Sequence, residues 1–142
     1  MRLLLEKWNK YILETKDMKR VSKAVMLDKK GNVLILKRSP DSVSEDSPWE
    51  WDLPGGHIHE GESDVKGLQR EIQEETSLYI SRAPDWFMLE KHTRFFLIRE
   101  WKGEITLSDE HTEYKWVAPR EVAKYNIGKM YENAVAEAAV RS

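Results

Sequence analysis

The chain contains no cysteine. That removes disulfides, thiolate metal sites and cysteine nucleophiles, and it fits a reducing compartment. Long apolar runs are missing as well. The opening Met1-Arg2-Leu3-Leu4-Leu5-Glu6 loses its apolar character after the leucines, whereas a signal-peptide core takes about 7–15 apolar residues and a spanning helix about 20. The expectation is a soluble, cytoplasmic protein with no membrane partner. Charge of one sign is also absent, since 23 basic and 25 acidic residues give a formal net charge of −2. Proteins that grip long nucleic acid carry a basic face, so a small ligand is favoured over a polymer. The most basic stretch, residues 16–23, is broken by Asp17 and reads as a solvated loop. Glycine and proline are too sparse to form a linker, and no repeat is visible. Residues 1–142 therefore read as a single domain.

At 40% hydrophobic residues the chain can build a core. A domain of this size buries roughly 68–70% of the surface its unfolded chain exposes. Leu4, Trp8, Tyr11 and Ile12 recur at helical spacing, which predicts an amphipathic helix over residues 1–15. Residues 21–27 and 33–36 are apolar runs joined through Gly31-Asn32, a hairpin signal. Residues 39–48 form a polar loop. Trp49, Trp51 and Leu53 alternate with Glu50 and Asp52 as in a half-buried strand. Residues 63–76 predict a helix capped by Ser63, and residues 130–140 a closing one. Residues 86–90, 94–101 and 114–117 read as strands. This mixture, without strict βαβ alternation, predicts an α+β domain: a mixed sheet flanked by helices, not a Rossmann sheet.

Chemistry concentrates in the helix over residues 63–76. At 3.6 residues per turn, Val65, Leu68 and Ile72 share a stripe that faces the core. Glu71, Glu74 and Glu75 fall in an adjoining sector about 100° wide. Like charges at these spacings each destabilise a helix by roughly 0.2–0.5 kcal/mol. They also lie in its second half, where the macrodipole disfavours anions. A hard divalent cation would relieve both penalties. A Glu-rich helix face is usually solvated surface, but here Gly55-Gly56 follows a strand just upstream. Glycines let backbone approach a phosphate or metal closely.

Residues 56–78, GHIHEGESDVKGLQREIQEETSL, resemble the Nudix box, Gly-x5-Glu-x7-Arg-Glu-U-x-Glu-Glu-x-Gly-U with U aliphatic. Gly56, Glu62, Arg70, Glu71, Ile72, Glu74, Glu75 and Leu78 match; Ser77 stands where the family has Gly. The family Gly closes the helix in a left-handed conformation, so Ser77 costs roughly 1 kcal/mol without touching the carboxylates.

The resemblance implies the Nudix α/β/α sandwich and a magnesium-dependent hydrolase of the MutT-like branch, with Mn²⁺ able to substitute. Glu71, Glu74, Glu75 and the Gly55 carbonyl would hold metal, with Glu62 in a supporting position. Arg70 would fix a glutamate rotamer. That branch carries a further glutamate about six residues before a tryptophan-bearing strand. Counting back from Trp116 gives Glu110, with His111 and Glu113 as alternatives. The implied reaction is water attack on a diphosphate of a nucleotide, releasing a nucleoside monophosphate. RNA 5′-end pyrophosphate removal and a non-catalytic nucleotide sensor are competing readings. The sensor reading is disfavoured by the intact box glutamates, and the fold's cysteine-dependent isomerase branch by the absence of Cys. His57 and His59 read as solvent-facing. Trp8, Trp51, Trp86 and Trp116 read as core, and Trp49 is the best aromatic for base stacking. Arg38 is open between a phosphate contact and a surface role. No feature assigns the individual nucleotide or an oligomeric state.

Overall fold

The computed structural model describes residues 20–83 and 85–142; the helix expected over residues 1–15, with Trp8, lies outside them. Among the described residues, seven strands and two α-helices follow in chain order: β1 (Val21–Met26), β2 (Val33–Arg38), β3 (Trp51–Asp52), β4 (Gly55–His57), α1 (Asp64–Thr76), β5 (Met88–Glu90), β6 (Thr93–Ile98), β7 (His111–Val117) and α2 (Lys129–Arg141). One sheet has the order β4-β1-β6-β5 and the other β3-β2-β7. β1 runs parallel to β6; the remaining pairings are antiparallel.

Side-chain alternation along the strands separates two cores. Val25, Leu27, Val33, Ile35 and Phe95 point to one face and pack with Ala134, Val135 and Ala138 of α2. Ala24, Met26, Leu34, Leu36, Phe96 and Ile98 point to the other and pack with Leu68 and Ile72 of α1. Apolar residues on both strand faces thus produce helix, sheet and helix layers. Leu68 and Ile72 have no exposed surface, so truncating either to Ala would cost about 2–5 kcal/mol.

The expected hairpin between β1 and β2 is only partly realised. The turn forms, with Asp28 Oδ1 accepting from the Lys30 and Asn32 amides. The strands themselves share a single bridge, Leu27 to Val33, and then diverge into different sheets. Along Val21–Lys23 both edges of β1 are hydrogen-bonded, to β4 and β6, and β2 pairs instead with β3 and β7. The solvated loop expected over residues 16–23 is also corrected within the described residues. Val21 begins β1, and Lys23 is buried in it.

Ser63 caps α1 through its hydroxyl, which accepts from the Lys66 amide at 3.1 Å. Ser77 ends the helix at φ 65°, ψ 9°, the left-handed conformation expected there. Trp86 departs from its expected core position. It lies 43% exposed before β5, with the Arg94 guanidinium 5.4 Å from its ring centroid. Trp116 is half-buried and stacks on Trp101. β7 begins at His111, three residues ahead of expectation, because its pairing with β2 continues past a bulge to Arg38.

Candidate active site

Two glycines and one helix build the site. Gly55 has φ 126°, and a Cβ there would stand 2.1 Å from the Ser22 carbonyl oxygen. Only glycine permits this approach of β4 to β1. A Cβ on Gly56 would meet the Glu71 carboxylate at 2.7 Å. The bare backbone is what lets α1 lay its carboxylates against β4. Glu75 is buried in that contact, and its Oε1 accepts from the Gly55 amide at 2.8 Å.

Arg70 is the hub of the helix face. Its Nε donates to Glu62 Oε2 at 2.8 Å and its Nη1 to Glu71 Oε1 at 3.0 Å. Nη1 also reaches Glu74 Oε2 at 3.2 Å, and Nη2 donates to the His57 carbonyl at 3.0 Å. Glu62 additionally accepts from the His59 amide. The Arg70 hydrogen bonds hold its carboxyl down to about 2. Among the carboxylates expected to hold metal, Glu71 and Glu75 lie inside the site, whereas the Glu74 side chain is 59% exposed and touches Arg70. His57 and His59 are exposed.

Glu110 reaches the same place from the loop before β7. Ligand-competent atoms of Glu75, Glu110 and His111 all lie within 4.8 Å of one another. His111 is buried, with Nε2 3.9 Å from Glu75 Oε2 and 4.0 Å from Asp52 Oδ2. Its Nδ1 has no hydrogen-bond partner among the described residues. Glu113 lies two residues further along β7, exposed beside Lys115.

Lys23 and Asp52 are site residues that the sequence reading did not select. Lys23 Nζ donates to Asp52 Oδ1, the Leu53 carbonyl and the Gly55 carbonyl, each at 3.0 Å. Burial opposes charge on Asp52, but the Lys23 ammonium and His111 hold its carboxyl below its ordinary value. The available signal was a lysine inside the apolar run Val21-Ser22-Lys23-Ala24-Val25-Met26. A charged residue there is buried only when paired.

Burial is the largest cause that pushes the Glu75 carboxyl up to about 8, with Asp52 and Glu71 adding to it. A carboxylate so placed is ionised at neutral pH only if a further cation joins it. Carboxylate oxygens from Glu71, Glu75 and Glu110 suit a hard divalent ion, so the residues present fit Mg²⁺ or Mn²⁺.

These side chains line a cleft of about 570 Å³. A second pocket, of about 230 Å³, adjoins it and is lined by Trp49, Trp51, Met130 and Tyr131. Arg38, Asp52 and Tyr131 line both. Arg38 reaches no free position, because its guanidinium donates to the carbonyls of Ser42, Ser47 and Trp49. It ties the loop over residues 39–49 down, and that loop carries Trp49 to the mouth of the pocket.

The helix–sheet–helix sandwich turns the carboxylates of α1 onto a Gly-Gly strand. The NUDIX domain family model matches residues 18–141, and the chain belongs to the Nudix hydrolase family. An "8-oxo-dGTP diphosphatase" of Buchnera aphidicola subsp. Schizaphis graminum is 36% identical over 81 residues, which cover 54% of this chain and 62% of that protein. An "RNA pyrophosphohydrolase" of Rhodopseudomonas palustris is 29% identical over 100 residues, 68% of this chain and 56% of that protein. The chain thus matches less than two thirds of the length of either relative. The crystal structure of a MutT protein from Methanosarcina mazei Go1 superposes with a TM-score of 0.69 at 26% identity, covering 87% of this chain and 94% of that one. No described helix is long and apolar enough to cross a membrane.

Proposed function

We propose that this chain is a Mg²⁺-dependent pyrophosphohydrolase that cleaves a nucleoside diphosphate linked to another moiety and releases a nucleoside monophosphate. The observation that carries this reading is the adjacency of two dissimilar spaces. A carboxylate cleft suited to metal and diphosphate opens into an aromatic-lined pocket large enough for a base. Glu71, Glu74, Glu75 and Glu110 would hold the metal. When bound, it supplies charge neutralisation of the diphosphate and polarises the scissile P–O bond. Arg70 orients Glu71 and Glu74. Glu110 and His111, whose ligand atoms lie within 4.8 Å of those of Glu75, would accept the proton that leaves the attacking water.

One relative is named for 8-oxo-dGTP and the other for RNA, and both names support a nucleotide substrate. The interspersed surface charge favours the free nucleotide. The test is a phosphate-release screen with Mg²⁺ and Mn²⁺ over canonical and oxidised nucleoside triphosphates, dinucleoside polyphosphates, ADP-ribose and triphosphorylated RNA, beside a Glu75→Gln control. Turnover that vanishes in the control supports the reading. Silence across the panel, with ligand-induced stabilisation by any member, supports a nucleotide sensor instead.

A further inference from the structure

A cation is already present in this site, and it belongs to the chain. Lys23 Nζ has three protons, and three acceptors take them: Asp52 Oδ1, the Leu53 carbonyl and the Gly55 carbonyl, each at 3.0 Å. The side chain is 7% exposed, so no water competes with this arrangement and no donor remains for a substrate phosphate. The backbone keeps the ammonium there, because Lys23 and Gly55 are cross-strand partners in the β1–β4 ladder. The Gly55 peptide is therefore held from both sides. Its carbonyl accepts from Lys23, and its amide donates to Glu75 Oε1 at 2.8 Å.

We propose that Lys23 is a built-in cation that withholds the Gly55 carbonyl from divalent metal and, through the Gly55 peptide, positions the Glu75 carboxylate. This inference rests on the metal-dependent reading above and departs from the ligand set that the family resemblance implies: the carboxylates of α1 and Glu110 coordinate, and the Gly55 carbonyl does not. A carbonyl oxygen has a second lone pair, but an ion on it would stand against a buried ammonium, where charge repulsion is poorly screened. Lys23 is a positioning residue, since Asp52 and the Leu53 and Gly55 carbonyls take all three of its protons. The arrangement also accounts for Asp52, whose charge on β3 points inward because Lys23 receives it. Removing the ammonium has two consequences at once: it frees an oxygen ligand and deletes the nearest opposing charge.

The experiment counts Mn²⁺ bound per chain by electron paramagnetic resonance in substrate-free protein. Wild type, Lys23→Arg, Lys23→Met and the double variant Lys23→Met/Asp52→Asn are compared. Circular dichroism checks that each is folded. The double variant removes the buried pair together, so it reports even where Lys23→Met alone leaves Asp52 unpaired and fails to fold. The expected result is one more Mn²⁺ per chain in the methionine variants than in wild type, with Lys23→Arg keeping the wild-type count. Equal counts in all folded variants overturn the role of Lys23 while leaving the metal-dependent reading intact. Mn²⁺ density on the Gly55 carbonyl in crystals of the wild-type protein overturns it directly. Binding to no variant and not to wild type overturns the metal-dependent reading, and this inference with it.

Discussion

Glu75 ties stability, pH and metal together, and removing its charge separates them. Its carboxyl ordinarily titrates near 4.5 and is pushed up to about 8, chiefly by burial. A tenfold change in proton affinity is worth about 1.4 kcal/mol, so the ionised form costs the metal-free fold on the order of 5 kcal/mol. The folded state holds this proton more tightly than the unfolded chain does. Stability from Glu75 is therefore fully present below pH 4.5 and declines as pH rises, until it is lost above about 8. Glu62 acts with the opposite sign and in another window. Its carboxyl is held down to about 2, so its contribution disappears only as pH falls below the ordinary 4.5.

Glu75→Gln keeps the shape and an oxygen to accept from the Gly55 amide, but it cannot ionise. Urea unfolding of both proteins in chelator, from pH 5 to pH 9, isolates the carboxyl as the difference between them. The variant gains on wild type by up to about 1.4 kcal/mol per pH unit. The full gain corresponds to about 15 °C in Tm for a domain of this size. Saturating Mg²⁺ should then reverse the order, because a coordinated carboxylate no longer pays for burial alone and the variant has lost a ligand. A wild-type-minus-variant difference that stays flat from pH 5 to pH 9 would refute the reasoning.

Three further perturbations test other parts of the site. Arg70→Ala frees the rotamers of Glu71 and Glu74 and should weaken Mg²⁺ binding by roughly 10–100-fold in calorimetry; a change under threefold would remove Arg70 from the site. At Ser77, with φ 65° and a hydroxyl donating to the Thr106 carbonyl, Ser77→Gly should be about 1 kcal/mol more stable than Ser77→Ala, because only glycine escapes the left-handed strain. Both variants should bind metal like wild type, and a metal defect in either would contradict the separation of helix end from site. Trp49→Ala should raise KM by about tenfold or more with little change in kcat, as lost base stacking of about 1–3 kcal/mol predicts. A fall in kcat at unchanged KM would place Trp49 outside base recognition.

The parts of the fold legible in the sequence were those set by local periodicity. The stripe Val65, Leu68, Ile72 and the cap at Ser63 follow from one helix whose geometry is regular, and the left-handed Ser77 from the resemblance to the Nudix box. The strand pairings were less legible because hydrogen-bonding partners are chosen non-locally. The turn Asp28-Lys29-Lys30-Gly31-Asn32 carries every hairpin signal and does form, yet β1 takes its ladder partners β4 and β6 from chain that comes later, and β2 pairs with β3 and β7. Trp86 misled for a related reason. Its aromatic character and spacing suit a strand, but its ring lies against Arg94, whose position was fixed by the pairing of β6.

The site divides along the same line. Glu71, Glu74 and Glu75 share a helix, so spacing alone places them on adjoining faces. Glu110 was found by counting back from a tryptophan, and its carboxylate does come within 4.8 Å of Glu75 and His111 ligand atoms. Lys23, Asp52 and His111 needed the tertiary fold, because they sit on β1, β3 and β7, strands of two different sheets. In sequence Lys23 falls in a stretch that reads as a basic loop, Asp52 reads as a polar position of a half-buried strand, and His111 stands only as an alternative to Glu110. What distinguishes them is that all are turned inward beside the buried Glu75 carboxylate. A charge facing inward on one strand asks for a partner. Lys23 and Asp52 form such a pair across two strands, and His111 on a third lies 4.0 Å from Asp52 and 3.9 Å from Glu75, so the strands are ordered around the helix carboxylates. In that sense the two sheets do more than support α1: they set the electrostatic environment in which Glu75 works.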